Sequence, residues 1–327
     1  MHEPSTTAQK DDVIRHDVIN SGVANPDCAK PDIAKPDVAK SAVATPDVKS
    51  LAFIAPIIIK RHSITVRLTH WFNVLCFVLL LMSGLAIFNA HPALYWGHYG
   101  YRGIPPLMGI GAMIEPTNRE LIGITQIAGH NFETTGVLGV SQGSDGQPTR
   151  RAFPAWATLP SSAGLALGRD WHFLAAWLFA FNGAIYLVAG LLGGHFRRDL
   201  LPTARQLRPR HLATDLWNHI RLRMPRGEAD RHYNVLQKIV YLTVVFLLLP
   251  AMILSGLTMS PAVTAAAPFL FDLFSGRQSA RTIHFITANL LVLFVFVHVF
   301  QVLVAGAINQ MRAMITGRYR IRAERKT

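Results

Sequence analysis

Residues 283–308 read IHFITANLLVLFVFVHVFQVLVAGAI, with no acid, lysine or arginine among them. About 20 apolar residues suffice for one helix to cross a bilayer, so this stretch reads as a transmembrane helix. Two histidines interrupt it, His284 and His298. A separation of fourteen residues is nearly four helical turns and a rise of roughly 21 Å. Both imidazoles therefore leave the helix on about the same face, one near each side of the membrane. An ionisable side chain inside a span is costly and marks function by default.

The rest of the chain fits that setting. Of its 327 residues 50% are hydrophobic and only 16% charged, with mean hydropathy +0.27. That is too apolar for an ordinary soluble domain of this length. Three more apolar stretches are long enough to span, at about 71–90, 171–194 and 235–259, the last containing Pro250. The fold class expected is an all-α membrane protein, a four-helix transmembrane bundle over residues 60–310. The formal net charge of +13 is no sign of nucleic acid, because the arginines cluster beside the apolar spans. Cys28 and Cys76 give neither a disulfide framework nor a zinc site, and the absence of C-x-x-C-H argues against covalently attached haem.

Residues 1–59 carry a loose repeat (NPDCAK, KPDIAK, KPDVAK, TPDVKS) with a proline about every five residues, and read as a disordered tail that is neither signal nor transit peptide. Residues 91–168 form a long, nearly neutral connection. Its apolar piece IPPLMGIGAMI is too short to cross a membrane and is broken by Pro105 and Pro106. Residues 195–232 carry nine arginines against four acids, and residues 311–327 are a basic tail. The arginine-rich segments belong inside. Four spans with both termini cytoplasmic satisfy every segment and leave 91–168 as an outer loop in a bacterial inner membrane. No internal repeat stands out.

With that orientation the span histidines fall at two depths. His172 and His284 lie toward the outer face, and His70 and His298 toward the cytoplasmic face. Each pair is suited to hold one haem iron from opposite sides, since neutral imidazole is the commonest haem ligand. The competing reading is that of interfacial histidines at span ends. It suits His298 least, mid-span between VFV and VF. Three of the four follow an arginine by three residues: Arg67, Arg169 and Arg281. Each arginine is one turn nearer water, where it would meet a haem propionate or simply snorkel. Gly84 and Gly256 lie at the outer depth, where small residues leave room for a flat macrocycle or serve helix packing.

The stretches R-L-T-H-W at 67–71, G-R-D-W-H-F at 168–173, Y-N-x-x-Q-K at 233–238 and H-x13-H at 284–298 resemble the bacterial di-haem cytochrome b membrane subunits. These include cytochrome b-561, the gamma subunit of formate dehydrogenase, the thiosulfate reductase membrane subunit and the cytochrome b of nickel–iron hydrogenases. The resemblance implies two b-type haems, with His70 and His298 on the cytoplasmic-side one and His172 and His284 on the outer one. It also implies a quinone site at the start of span three. There Asn234 and Gln237 match the family's pattern, while Leu236 replaces its glycine.

The function expected is electron transfer between the quinone pool and a periplasmic partner, by resemblance a molybdopterin oxidoreductase docked on the outer connection. The chain would then be a subunit of an oxidoreductase complex in contact with membrane lipid. Two alternatives stand beside it. One is a solitary haem enzyme of the superoxide oxidase or ferric reductase type. The other is a haem-free transporter or anchor that uses the histidines as a proton relay.

Overall fold

The structure, a computed structural model, describes residues 57–100, 103–143, 146–162, 164–221 and 234–321. The expected tail over 1–56 lies outside the described residues, as does Tyr233.

In chain order the elements are β1 (Ile57–Lys60), α1 (Ile64–Ala90), β2 (Ala93–Leu94), β3 (Met108–Ile114), β4 (Leu121–Ile127), β5 (His130–Glu133), β6 (Gly139–Gln142) and β7 (Pro148–Arg151). They continue with α2 (Leu165–Leu192), α3 (Pro209–Ile220), α4 (Val235–Thr243), α5 (Leu249–Thr258), α6 (Pro261–Ala266), α7 (Phe269–Phe274), α8 (Arg277–Thr316) and β8 (Arg318–Ile321). Among the described residues four helical stretches are long and apolar enough to cross a membrane: α1, α2, the run Val235–Thr258 and α8. The protein is a four-span helical membrane protein.

Burial is inverted relative to a soluble bundle. Phe181 and Phe296 are 70% and 71% exposed, whereas Ser83, Ser255 and Ser279 are fully buried. Lipid tails are as apolar as these phenylalanines, so the interior is left to small residues that let backbones approach. The seam between α1 and α2 shows the rule. Thr69, Cys76 and Ser83 are buried on α1 and Gly168, Ala175 and Asn182 on α2, each set at seven-residue steps. A seven-residue period is the repeat of a left-handed antiparallel pair. Asn182 Nδ2 locks the seam, donating to the Thr69 carbonyl (2.9 Å) and to Asn73 Oδ1 (2.7 Å).

Span three is broken as its sequence requires. A π-helical turn, Val244–Leu248, separates α4 from α5, and Pro250 stands at the start of α5. Proline lacks an N–H and clashes with the preceding turn, and a widened turn accommodates both defects. Three spans are longer than expected, the second starting at Leu165 so that His172 lies about two turns inside it. The first starts at Ile64, capped by Ser63 Oγ accepting from Val66 N (3.2 Å), so His70 lies nearly two turns inside it. The last runs 40 residues, with a non-helical break at Gly306 (φ 103°).

The connection between the first two spans, expected to lie outside, is not structureless. β2, β3, β4 and β5 form one antiparallel sheet in that order, and β6 and β7 form a hairpin beside it. IPPLMGIGAMI, read from sequence only as unable to span, contributes β3, paired through its whole length from Met108↔Ile127 to Ile114↔Leu121. The hairpin meets the sheet where Gly123 and Gly139 have no side chains. A Cβ on either would lie 2.1 Å from a backbone oxygen. Phe88, Leu94, Ile110 and Ala152 form the core beneath, with Phe285 packed on it from the last span.

The flanks of the bundle also pair. β1 runs antiparallel to β8, and Tyr319 and Ile321 are buried against Ala313 and Ile59. The boundary expected at residue 59 therefore falls inside a strand. The tail expected from 311 begins inside α8 and continues as β8. The cause is the alternation of R-Y-R-I, which turns Tyr319 and Ile321 to one face, with the Arg61 guanidinium 4.3 Å from the centre of the Tyr319 ring.

Candidate functional site

The four span histidines come together as two pairs. The rings of His172 on α2 and His284 on α8 have centroids 6.2 Å apart. Those of His70 on α1 and His298 on α8 are 6.3 Å apart. Imidazole binds a first-row metal at about 2 Å, and about 1.1 Å more reaches the ring centre. Two rings on opposite sides of one ion therefore lie about 6.3 Å apart, and both pairs match that span. A disposition of two nitrogens per metal with the remaining positions open suits a porphyrin, which brings its own four. Among the described residues no cluster of three or more protein ligands competes for a metal. The residues present fit two bis-imidazole haems.

Two residues that sequence reasoning missed, Ser83 and Ser255, stand behind the outer pair. Ser83 Oγ is 3.0 Å from His172 Nδ1, and Ser255 Oγ is 3.0 Å from His284 Nδ1. The neighbouring glycines let each ring lie against the opposite helix. A Cβ at Gly84 would be 3.4 Å from His172 Cε1, and one at Gly256 would be 3.3 Å from His284 Cε1. The nearest group to these glycines is thus an imidazole. The arrangement exposes a short internal repeat that was not evident in the sequence: Ser-Gly on α1 faces Arg169-x-x-His172, and Ser-Gly on α5 faces Arg281-x-x-His284. A buried serine within an apolar run was the available signal.

The inner pair is set differently. His70 Nδ1 is buried without a hydrogen-bond partner, its ring edge-on to Trp71, and His298 stacks on Phe294 at 5.7 Å. Cations gather at this end. Arg67 donates from one guanidinium nitrogen to the Ile315 carbonyl (2.6 Å), while its Nε is buried without a partner. Burial and then the Arg61 guanidinium push the pKa of nearby His62 down to about 4. An anionic group is what such a corner would accept, and an inner-haem propionate has that charge.

The other two arginines have protein contacts of their own. Arg281 donates to the His91 carbonyl and lies over the Phe88 ring, and Arg169 lies over the Phe173 ring. His91, beyond the end of α1, has its pKa lowered by burial and then by Arg281. The outer domain is bound to the start of α8. The Gly97 carbonyl accepts from the Gln278 and Ser279 N–H groups, and Thr282 Oγ1 donates to the Tyr95 carbonyl (2.6 Å). β2 and the residues after it therefore lie directly over the helix end that carries His284.

Of the residues matched to a quinone site, Asn234 is the N-cap of α4, its Oδ1 accepting from Gln237 N (2.9 Å). Gln237 and Lys238 follow in the first turn. Lys238 is buried, its Nζ 3.5 Å from the Leu201 carbonyl.

Residues 61–317 match the family described as prokaryotic cytochrome b561. A putative protein-methionine-sulfoxide reductase subunit YedZ1 from Azospira oryzae is 35% identical over 164 residues, which are 50% of this chain and 77% of that protein. No solved structure matches.

Proposed function

Because this chain belongs to the prokaryotic cytochrome b561 family, as the match over residues 61–317 shows, we propose that it carries electrons across the membrane between the quinone pool and an oxidoreductase outside. Family membership makes the chain a membrane haem subunit. Its proposed electron-carrying role rests above all on two imidazole pairs, 6.2 and 6.3 Å between ring centres, held at two levels of one bundle.

In this reading His172 and His284 hold one b-type haem, and His70 and His298 the other. Haem, when bound, supplies the one-electron chemistry, and its potential is tuned by axial ligands, hydrogen bonds and burial. The bundle fixes the two levels roughly 21 Å apart along α8, and its apolar shell excludes water from the interior. Arg67, with a buried Nε in need of an acceptor, receives a propionate of the inner group. Arg169 and Arg281 serve the outer group by their matching positions one turn toward water.

The charge bias supports a cytoplasmic side for both flanks of the bundle. The pairing of β1 with β8 supports two flanks on one side of the membrane. Asn234, Gln237 and Lys238, at the start of span three, lie where a quinone head group enters from the inner leaflet. The outer β domain, seated on the end of α8 that carries His284, is the surface for the partner. The relative from Azospira oryzae is named as a putative subunit of a protein-methionine-sulfoxide reductase, which supports a separate oxidoreductase chain in that place. By resemblance to the di-haem subunits that chain is molybdopterin-dependent.

The test uses the purified protein in lipid. A quinol should reduce two b-type absorbances, and a co-purified outer oxidoreductase supplied with its oxidised substrate should reoxidise them. A colourless protein, or two haems that no quinol reduces, would overturn the proposal.

A further inference from the structure

Resting on the proposed outer haem, we infer that Ser83 and Ser255 are positioning residues that fix the tautomer of its two axial imidazoles and lower its reduction potential. A serine hydroxyl has one hydrogen. Ser83 gives its hydrogen to the Leu79 carbonyl at 2.5 Å, and Ser255 gives its own to the Ala251 carbonyl at 2.6 Å. Each Oγ therefore faces its histidine as an acceptor, and Nδ1 is the nitrogen that carries the proton. The Met252 carbonyl, 3.1 Å from His284 Nδ1, accepts only, and so demands the same tautomer. With Nδ1 engaged on both rings, Nε2 is the nitrogen left for iron on each side.

An acceptor on the far nitrogen orients a ligating imidazole and raises its basicity. A more basic ligand favours ferric over ferrous iron, so both serines pull the outer potential down. The inner level has no such device at His70, whose Nδ1 lacks a partner. Both serines are fully buried, so no water competes for the Nδ1 proton. Gly84 and Gly256 complete the arrangement, because each imidazole must lie against the helix that carries its serine. The two serines approach from different helices, α1 and α5, one to each imidazole of the pair. Each serine serves a different imidazole of the pair, so losing either removes an acceptor from one ligand and the two losses add.

The experiment is a potentiometric titration of purified wild-type protein, Ser83→Ala, Ser255→Ala and the double variant, with haem per chain measured alongside. The outer signal is the one lost in His284→Ala. Each single variant should keep two haems and shift the outer reduction equilibrium roughly threefold toward the ferrous form. The double variant should shift it roughly tenfold, about 59 mV for a one-electron couple, with the inner signal unmoved. Ser255→Cys fills the same space with a poor acceptor. It should move the potential in the same direction even if the alanine variant loses haem.

An outer midpoint that stays at its wild-type value with both haems retained overturns the inference. So does an inner midpoint that moves equally, or a cysteine variant with wild-type potential. A wild-type protein without two haems sinks the underlying reading instead, and the haem count separates the two failures.

Discussion

The pairing of the four histidines predicts a pattern across six double variants. Within a level the partner rings are 6.2 or 6.3 Å apart. Between levels the rise along α8 from His284 to His298 is roughly 21 Å. Sites farther apart than about 7–10 Å with no shared partners act independently. A single His→Ala variant at any of the four positions should therefore lower the haem count from two to one. His172→Ala with His284→Ala should still leave one, and so should His70→Ala with His298→Ala, because in each case both changes fall on a single site. The four remaining pairings cross levels and should leave none. The readout is haem per chain from the reduced pyridine complex, against protein by amino-acid analysis. One haem surviving in any cross-level variant, or none surviving in a same-level variant, would refute the assignment of partners. Chain integrity is checked independently by the helical circular dichroism of each variant.

Gly256→Ala should leave the stability of the chain nearly unchanged while disturbing the outer site. The helix gains about 1 kcal/mol, whereas the new methyl lies 3.3 Å from His284 Cε1 and costs about 1–3 kcal/mol of displacement there. Thermal unfolding in detergent and outer-haem retention on dilution measure the two effects separately. Asn182→Ala should destabilise the protein by about 1–3 kcal/mol, seen as a lower unfolding midpoint, because the Asn73 and Thr69 acceptors lose their donor inside the seam. Arg67→Gln should weaken retention of the inner haem and leave the outer one unaffected, as followed by haem count and difference spectra. Tyr319→Ala should cost about 3 kcal/mol or more, since a buried ring is removed from between Arg61 and Ile59.

What could be read from sequence followed from physical regularity. Apolar length marked the four spans that the structure contains, and arginine bias suggested one orientation for them. The helical period tied His284 to His298, and depth alone sorted the four imidazoles into the pairs that the structure brings together. The misses have equally physical causes. Ser83 and Ser255 looked like ordinary small residues of an interface, because their role depends on a histidine 89 or 29 residues away. The Arg-x-x-His units were legible, but their pairing with Ser-Gly was not, because a whole β domain separates the two partners in one hairpin and only a short connection in the other. That β domain was itself obscured by glycines and prolines. MGIGAMI and LIGITQI have too little polar alternation to announce strands, and their pairing becomes visible only in register. At span three, Pro250 marked a deformation, but the widened turn sits before it, at Val244–Leu248.

The outer β domain enters and leaves the bundle at neighbouring points, since α1 and α2 are antiparallel partners. Leu159, just ahead of α2, hydrogen-bonds the Met82 carbonyl of α1. Such a cassette can be lengthened, exchanged or remodelled through inheritance with little consequence for the histidine scaffold below it. Variation can thereby accumulate in the β cassette while the paired imidazoles keep their positions.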